Sequence, residues 1–364
     1  MDQKIPVTII TGFLGAGKTT LINELLHQPN EEKIAVIVNE FGDIGVDHNL
    51  VVNVEEDIYQ MNNGCLCCTL RADLADMLSS IYAVRKTQEV KIDRIVIETT
   101  GLAEPGPIAQ TFMRNPVLQE HYSLDSVLTL VDSGNALYQL AHYEESVEQA
   151  AFADKLLLTK VEETSDHTIH LVKQKLRTLN PFAQIEELDL EKVRVPDIIG
   201  LNLYDEQKVE QSEDHGLDHH HEADSEHKAC GCGHHNDSGS CCHGQAHHHE
   251  EESTHTSNIV SLSLKTSEPI HPTLIDMWMN ELIMTFGMDL LRYKGVLNLY
   301  GDSNQIIYQG VNMAFKAERG QPWGEGERES VLVFIGKNLP LEEMRESFNK
   351  CILTEEVRLE LGID

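Results

Sequence analysis

Positive charge is what this sequence has least of. It carries 28 lysines and arginines against 60 acidic residues, a formal net charge of −32 at pH 7. A surface of that sign repels phosphate backbones and anionic lipid, so no nucleic acid and no membrane is expected as a partner; cations suit it instead. Long apolar runs are missing too, and nothing approaches the ~20 residues that cross a bilayer. Residues 1–4 lead almost at once into a first apolar run, which leaves no room for a signal peptide. A cytoplasmic protein is therefore expected, and its eight cysteines read as thiols or metal ligands rather than disulfides.

A third shortage is local. Between residues 205 and 257 apolar side chains nearly vanish, and acid, His and Cys take their place. Such a stretch cannot bury enough surface to fold alone and is expected to be a disordered linker. His219, His220, His221, Cys230, Cys232, His234, His235, Cys241, Cys242, His243, His247, His248 and His249 are the composition of a metal-binding tract. Their irregular spacing points to a flexible collector with several sites rather than one closed zinc finger. A purification tag would not interleave its histidines with Asp, Glu and Cys deep inside a chain.

The remainder has ordinary hydrophobic content, 41% over 364 residues, enough for two or three domains with their own cores. The β-branched run at 7–10 predicts a buried strand, and 21–27 predicts a helix with apolar residues at helical spacing. Between them lie Gly12, Phe13, Leu14, Gly15, Ala16, Gly17, Lys18, Thr19 and Thr20, which read GxxxxGK[ST], a phosphate-binding loop. Glycines let the backbone wrap phosphates, and the helix N-terminus supplies free N–H groups and a favourable dipole. Lys18 adds a positive charge for the β- and γ-phosphates, and the Thr19 hydroxyl is a ligand for Mg²⁺.

Further along, 34–38 reads as a second buried strand. It runs into the polar, glycine-punctuated segment 39–47, where a nucleotide-sensing switch would lie in a doubly wound sheet; an ordinary connection is the alternative. Cys65, Cys67 and Cys68 follow. Thiolates select zinc or copper(I), and three of them leave a fourth position open, as exchangeable zinc sites do. Buried structural thiols or a redox pair are the alternatives. A helix is expected over 70–83 and a strand over 92–97. The latter ends in Glu98, Thr99, Thr100 and Gly101, the Walker B pattern in which the acid holds Mg²⁺ and the glycine reports the γ-phosphate. Lys18 and Glu98 are thus the expected catalytic pair. Strands are predicted over 126–131 and 155–158. The second leads into Thr159, Lys160 and Glu162, where GTPases carry an Asn-Lys-x-Asp signature. Glu162 offers guanine the two acceptors that Asp would, on a longer stem. A helix over 168–179 stops at Asn180 and Pro181.

After the His/Cys tract, order resumes with a period-two strand over 258–264, a helix over 272–286, strands over 295–300, 305–308 and 330–335, and a closing helix over 341–351. This is a small α+β domain without a catalytic constellation. Trp323 reads as core or contact surface.

The phosphate loop, Asn39-Glu40-Phe41-Gly42, the CxCC of Cys65, Cys67 and Cys68, and Glu98-Thr99-Thr100-Gly101, in this order, resemble the CobW-type GTPases, a family of metal chaperones. Leu291-Arg292-Tyr293-Lys294-Gly295 and Gln321-Pro322-Trp323-Gly324 resemble its YjiA-like subgroup. The resemblance implies a GTPase domain, an internal metal site on the three cysteines, and a C-terminal domain that meets clients. Some relatives carry a ligating Glu where this sequence has Val38, so only the cysteines carry over, with Glu40 as a further candidate.

The expected architecture is an α/β P-loop domain over 1–204 with a doubly wound, mostly parallel sheet, a metal-binding linker over 205–257 and an α+β domain over 258–364. The expected function is a GTP-hydrolysing zinc metallochaperone using GTP, Mg²⁺ and Zn²⁺, with Co²⁺ or Ni²⁺ as alternative cargo. Its partner is an unidentified client metalloprotein, and a homodimer is left open. A P-loop small-molecule kinase and a passive zinc store are the rival readings.

Overall fold

The computed structural model describes residues 4–28, 32–38, 58–60, 70–87, 91–204, 258–354 and 357–358. The expected switch at 39–47 with Glu40, the CxCC at 65–68 and the tract at 205–257 lie outside the described residues.

The N-terminal elements are β1 (Ile5–Gly12), α1 (Lys18–His27), β2 (Ile34–Val38), β3 (Ile58–Gln60), α2 (Leu70–Thr87), β4 (Arg94–Glu98), α3 (Gly106–Arg114), α4 (Pro116–His121), β5 (Tyr122–Asp132), α5 (Ala136–His142), α6 (Glu144–Phe152), β6 (Lys155–Thr159), α7 (Asp166–Leu179), β7 (Gln184–Glu187) and α8 (Val195–Ile198). Seven strands form one sheet in the order β3-β2-β4-β1-β5-β6-β7, and every pairing is parallel. The central strands are buried almost throughout because helices cover both faces. Ile5, Val7 and Ile9 pack with Leu78, Ile108 and Phe112 on one face, while Ile10 packs with Leu21, Leu25 and Ile198 on the other. β1 lies between β4 and β5, where strand order reverses, so its carboxyl end opens onto the crevice in which such sheets bind ligands.

The C-terminal elements are β8 (Ile259–Thr266), α9 (Pro272–Phe286), β9 (Leu290–Leu297), β10 (Asn304–Val311), β11 (Ala314–Pro322), β12 (Ser330–Lys337) and α10 (Leu341–Asn349). The five strands form an antiparallel sheet in the order β11-β10-β9-β12-β8. Alternate residues of β12 face different neighbours. Leu332 and Phe334 join Trp278, Met279 and Phe348 beneath the domain's own helices. Val333 and Ile335 join Ala150, Val172 and Leu176 of α6 and α7. The sheet is thus covered on its second face by the nucleotide-binding half.

Two expectations are corrected here. The strand expected over 295–300 is β9 at Leu290–Leu297. Gly295 sits inside it because an added Cβ would come within 2.4 Å of the Val331 carbonyl oxygen on β12, and the chain turns after it, at Gly301 with φ 83°. β11 was not expected at all: it is an edge strand, mostly exposed and polar, so no apolar alternation marks it.

Candidate functional site

The loop between β1 and α1 is shaped by glycine. Gly12 has φ 141°, and a Cβ there would lie 2.4 Å from the Leu130 carbonyl oxygen on β5. Gly17 precedes α1 with φ 98°, and no side chain caps that helix, which leaves its first-turn N–H groups to an anion. Lys18 is buried, and its Nζ donates to the carbonyls of Gly12 at 2.7 Å and Phe13 at 3.1 Å. Burial lowers its pKa, and the Glu98 carboxylate offsets part of that loss. Gly15, Thr19 and Thr20 are exposed, and Ala16 is buried.

Glu98 is the last residue of β4, in register with Ile10 of β1, so the parallel pairing brings the acid beside the start of α1. The Thr19 hydroxyl donates to its Oε1 at 2.9 Å. Past Glu98, the Thr99 N–H donates to the Ile10 carbonyl at 3.0 Å and its hydroxyl to the Thr11 Oγ1 at 2.8 Å. Gly101 follows directly, in the same loop.

β6 delivers the third group. Thr159 is fully buried and its hydroxyl donates to the Ala16 carbonyl at 2.9 Å, which ties this strand end to the phosphate loop. Lys160 takes a left-handed conformation, φ 55°, and its Nζ reaches Asp132 Oδ2 at 2.7 Å. Glu162 is exposed in the short turn Val161–Glu163. Asp132 was not singled out in the sequence, although it ends an apolar strand just as Glu98 does. It also accepts from the Gly134 N–H at 3.0 Å and from Asn135 Nδ2 at 3.0 Å. Burial raises its pKa, but the bonds from Lys160 and Asn135 outweigh that and hold the carboxyl below the usual carboxylate range.

The structure therefore brings Gly12, Gly15, Ala16, Gly17, Lys18, Thr19, Glu98, Gly101, Thr159, Lys160 and Glu162 to one end of one sheet. Among the described residues no group of three or more His, Cys, Asp or Glu side chains is placed to hold a metal ion. None of their helices is long and apolar enough to cross a membrane.

A glycine loop carrying a lysine, a hydroxyl on an acid at the next strand end, and a third strand end bonded to the loop define a P-loop nucleotide hydrolase. The chain belongs to the CobW/HypB/UreG family: the family's nucleotide-binding domain matches residues 6–187, and the C-terminal domain of the cobalamin synthesis protein cobW matches residues 259–352. It is a GTPase of that family. The chain is 32% identical to the zinc chaperone YjiA of Escherichia coli K12, over 94% of this chain and 98% of that protein. It is 30% identical to the zinc-regulated GTPase metalloprotein activator 1 of Schizosaccharomyces pombe, over 92% and 83%. The crystal structure of the Zn(II)-bound YjiA GTPase from E. coli superposes with a TM-score of 0.71 at 28% identity, covering 96% of this chain and all of that one.

Proposed function

We propose that this GTPase is a zinc metallochaperone that binds Zn²⁺ on Cys65, Cys67 and Cys68 and hands it to a client metalloprotein under nucleotide control. The hydrolase half rests on one observation, the Thr19 hydroxyl at 2.9 Å from the Glu98 carboxylate beside the Lys18 loop. That pair is a hard oxygen donor set of the kind Mg²⁺ takes. Mg²⁺ held there would neutralise charge on the β- and γ-phosphates. Lys18 would bind the same phosphates, and Glu162 would accept from the guanine edge. Both relatives above are named for zinc, which supports that cargo over Co²⁺ or Ni²⁺.

In this reading the chain has three parts: a GTPase domain over 1–204, a metal-collecting tract over 205–257 and a client-facing domain over 258–364. The tract captures Zn²⁺ and passes it to the three cysteines. The segment 39–47 precedes those cysteines, so a γ-phosphate that orders it would bias metal affinity. Hydrolysis then relaxes the site and releases the metal.

Steady-state turnover, measured with and without Zn²⁺, separates the readings. A chaperone hydrolyses GTP without a small-molecule acceptor, and its rate responds to Zn²⁺. Nucleoside diphosphate formation only when an acceptor is added would make the protein a kinase. No turnover under either condition would make it a zinc store.

A further inference from the structure

We propose that Gln149 is a positioning residue for GTP hydrolysis, and that the helix carrying it makes the C-terminal domain a regulator of that step. Gln149 lies on α6 with 1% of its surface exposed. Its Nε2 donates to the carbonyls of Gly101 at 3.1 Å and Ala103 at 3.0 Å. Those two carbonyls belong to the loop that leaves Glu98, the loop whose glycine meets a γ-phosphate in hydrolases of this class. The helix is itself held from beneath, because the Thr129 hydroxyl on β5 donates to the Gln149 carbonyl at 2.8 Å.

The arrangement is more than filler for a core. Among the described residues the buried Gln149 Oε1 has no hydrogen-bond partner, and neither has the buried Thr100 Oγ1 of the same loop. An unmet buried acceptor is destabilising, because it gives up its water without gaining a partner. An apolar side chain would avoid that cost, so the glutamine is justified only by what its amide nitrogen holds. It holds the backbone on either side of Leu102, two residues past Thr100.

α6 also carries contacts to the C-terminal domain. Glu148, adjacent to Gln149, meets Lys337 of β12 at 2.5 Å, and Glu144 meets the same ammonium at 2.7 Å. At the far end of the helix, the Phe152 carbonyl and the Asp154 carboxylate accept from Arg292 of β9. One rigid nine-residue helix therefore touches the loop after Glu98 on one side and two strands of the second sheet on the other. A force on Lys337 is a force on Gln149. Coupling through a packed element of this kind is commonly worth about 5-fold or more in an equilibrium.

The test compares the full-length protein with Gln149→Met, Lys337→Met and the double variant. Steady-state GTP hydrolysis at saturating GTP and GDP affinity are the two readouts. Gln149→Met keeps the shape and removes the donor. Its kcat should fall about 10-fold or more, while GDP, which lacks the γ-phosphate, binds within about twofold of wild type. A residue that only supports the fold would instead weaken GDP and GTP together. Lys337→Met should lower kcat roughly 5-fold with GDP affinity unchanged. In the double variant the two losses should not multiply. Wild-type kcat in Lys337→Met, or losses that multiply, would overturn the coupling. Wild-type kcat in Gln149→Met would overturn the positioning role. Lys337 is partly exposed, so its variant decides the coupling even where Gln149→Met fails to fold, and Gln149→Asn, which keeps the amide but shortens its reach, then decides the positioning role by the same two readouts.

Discussion

The two sheets of this molecule solve the same burial problem and end up with different chemistry. The seven-stranded sheet is parallel, so all its strands end on one side, and its loops gather there. Glycine at 12 and 17, an acid at 98 and a lysine at 160 sit at those ends because the connections between parallel strands must leave the sheet and return. The five-stranded sheet is antiparallel. Its strands alternate in direction, so neither end of the sheet gathers all the connections. What it offers is surface: one face under its own helices and the other against α6 and α7. Direction of pairing thus separates a half that reacts from a half that contacts.

The largest effect that could break this contrast is on the reactive side. Lys18→Ala removes the ammonium that the loop carbonyls hold, and GTP turnover should fall by orders of magnitude with the fold intact. Unchanged turnover beside a normal circular dichroism spectrum would show that the carboxyl end of β1 is not where hydrolysis happens.

Next in size is the seam between the halves. Arg292→Met leaves the nearly inaccessible Asp154 carboxylate with the Lys294 ammonium, 3.5 Å away, and the Val127 N–H at 2.8 Å. Breaking a buried pair from one side costs about 3–5 kcal/mol, and the urea midpoint should drop accordingly. A midpoint equal to wild type would mean that the Arg292–Asp154 pair does not hold the two halves together.

A smaller effect is on pH dependence. The Lys18 pKa lies below the ordinary lysine value of 10.5. Phosphate binding favours the charged form, so affinity is full below the free-protein pKa and declines as pH rises through it. GTP affinity should therefore weaken at alkaline pH before an ordinary lysine would titrate, and Lys18→Met should abolish that decline. An affinity that stays flat until near pH 10.5 would show that Lys18 is not desolvated in solution.

Much of the reactive half was readable from residue order. A β-branched run, a glycine loop and a helical spacing are local signals, and β1, α1, β2 and β6 fall where those signals place them. Glu98 was legible because an acid that ends an apolar strand has few other uses. Asp132 carries the same signal but competes with the Asx-turn role of any Asp before Ser and Gly. α6 was illegible for a tertiary reason. Glu148 and Gln149 are buried polar residues whose partners, Lys337 and the Gly101 carbonyl, lie far along the chain, and no local pattern announces such a pair. β9 was misplaced because Gly295 looks like a strand boundary until the close backbone of β12 is known. The reading of Cys65, Cys67 and Cys68 rests on thiolate spacing alone, because they lie outside the described residues.

Zinc affinity in two nucleotide states tests the account most directly, because the claim that this GTPase is a chaperone requires the two ligands to be linked. The variant lacking residues 213–256 removes the tract's own sites. Competition with a chelator then reports the affinity of the remaining site, with GDP or with a non-hydrolysable GTP analogue bound. Zn²⁺ should bind roughly 5–150-fold more tightly in the GTP-like state, the usual range of such coupling, and Cys67→Ser should erase the difference. Equal affinities in the two states would contradict the account and leave a GTPase that carries zinc without controlling it.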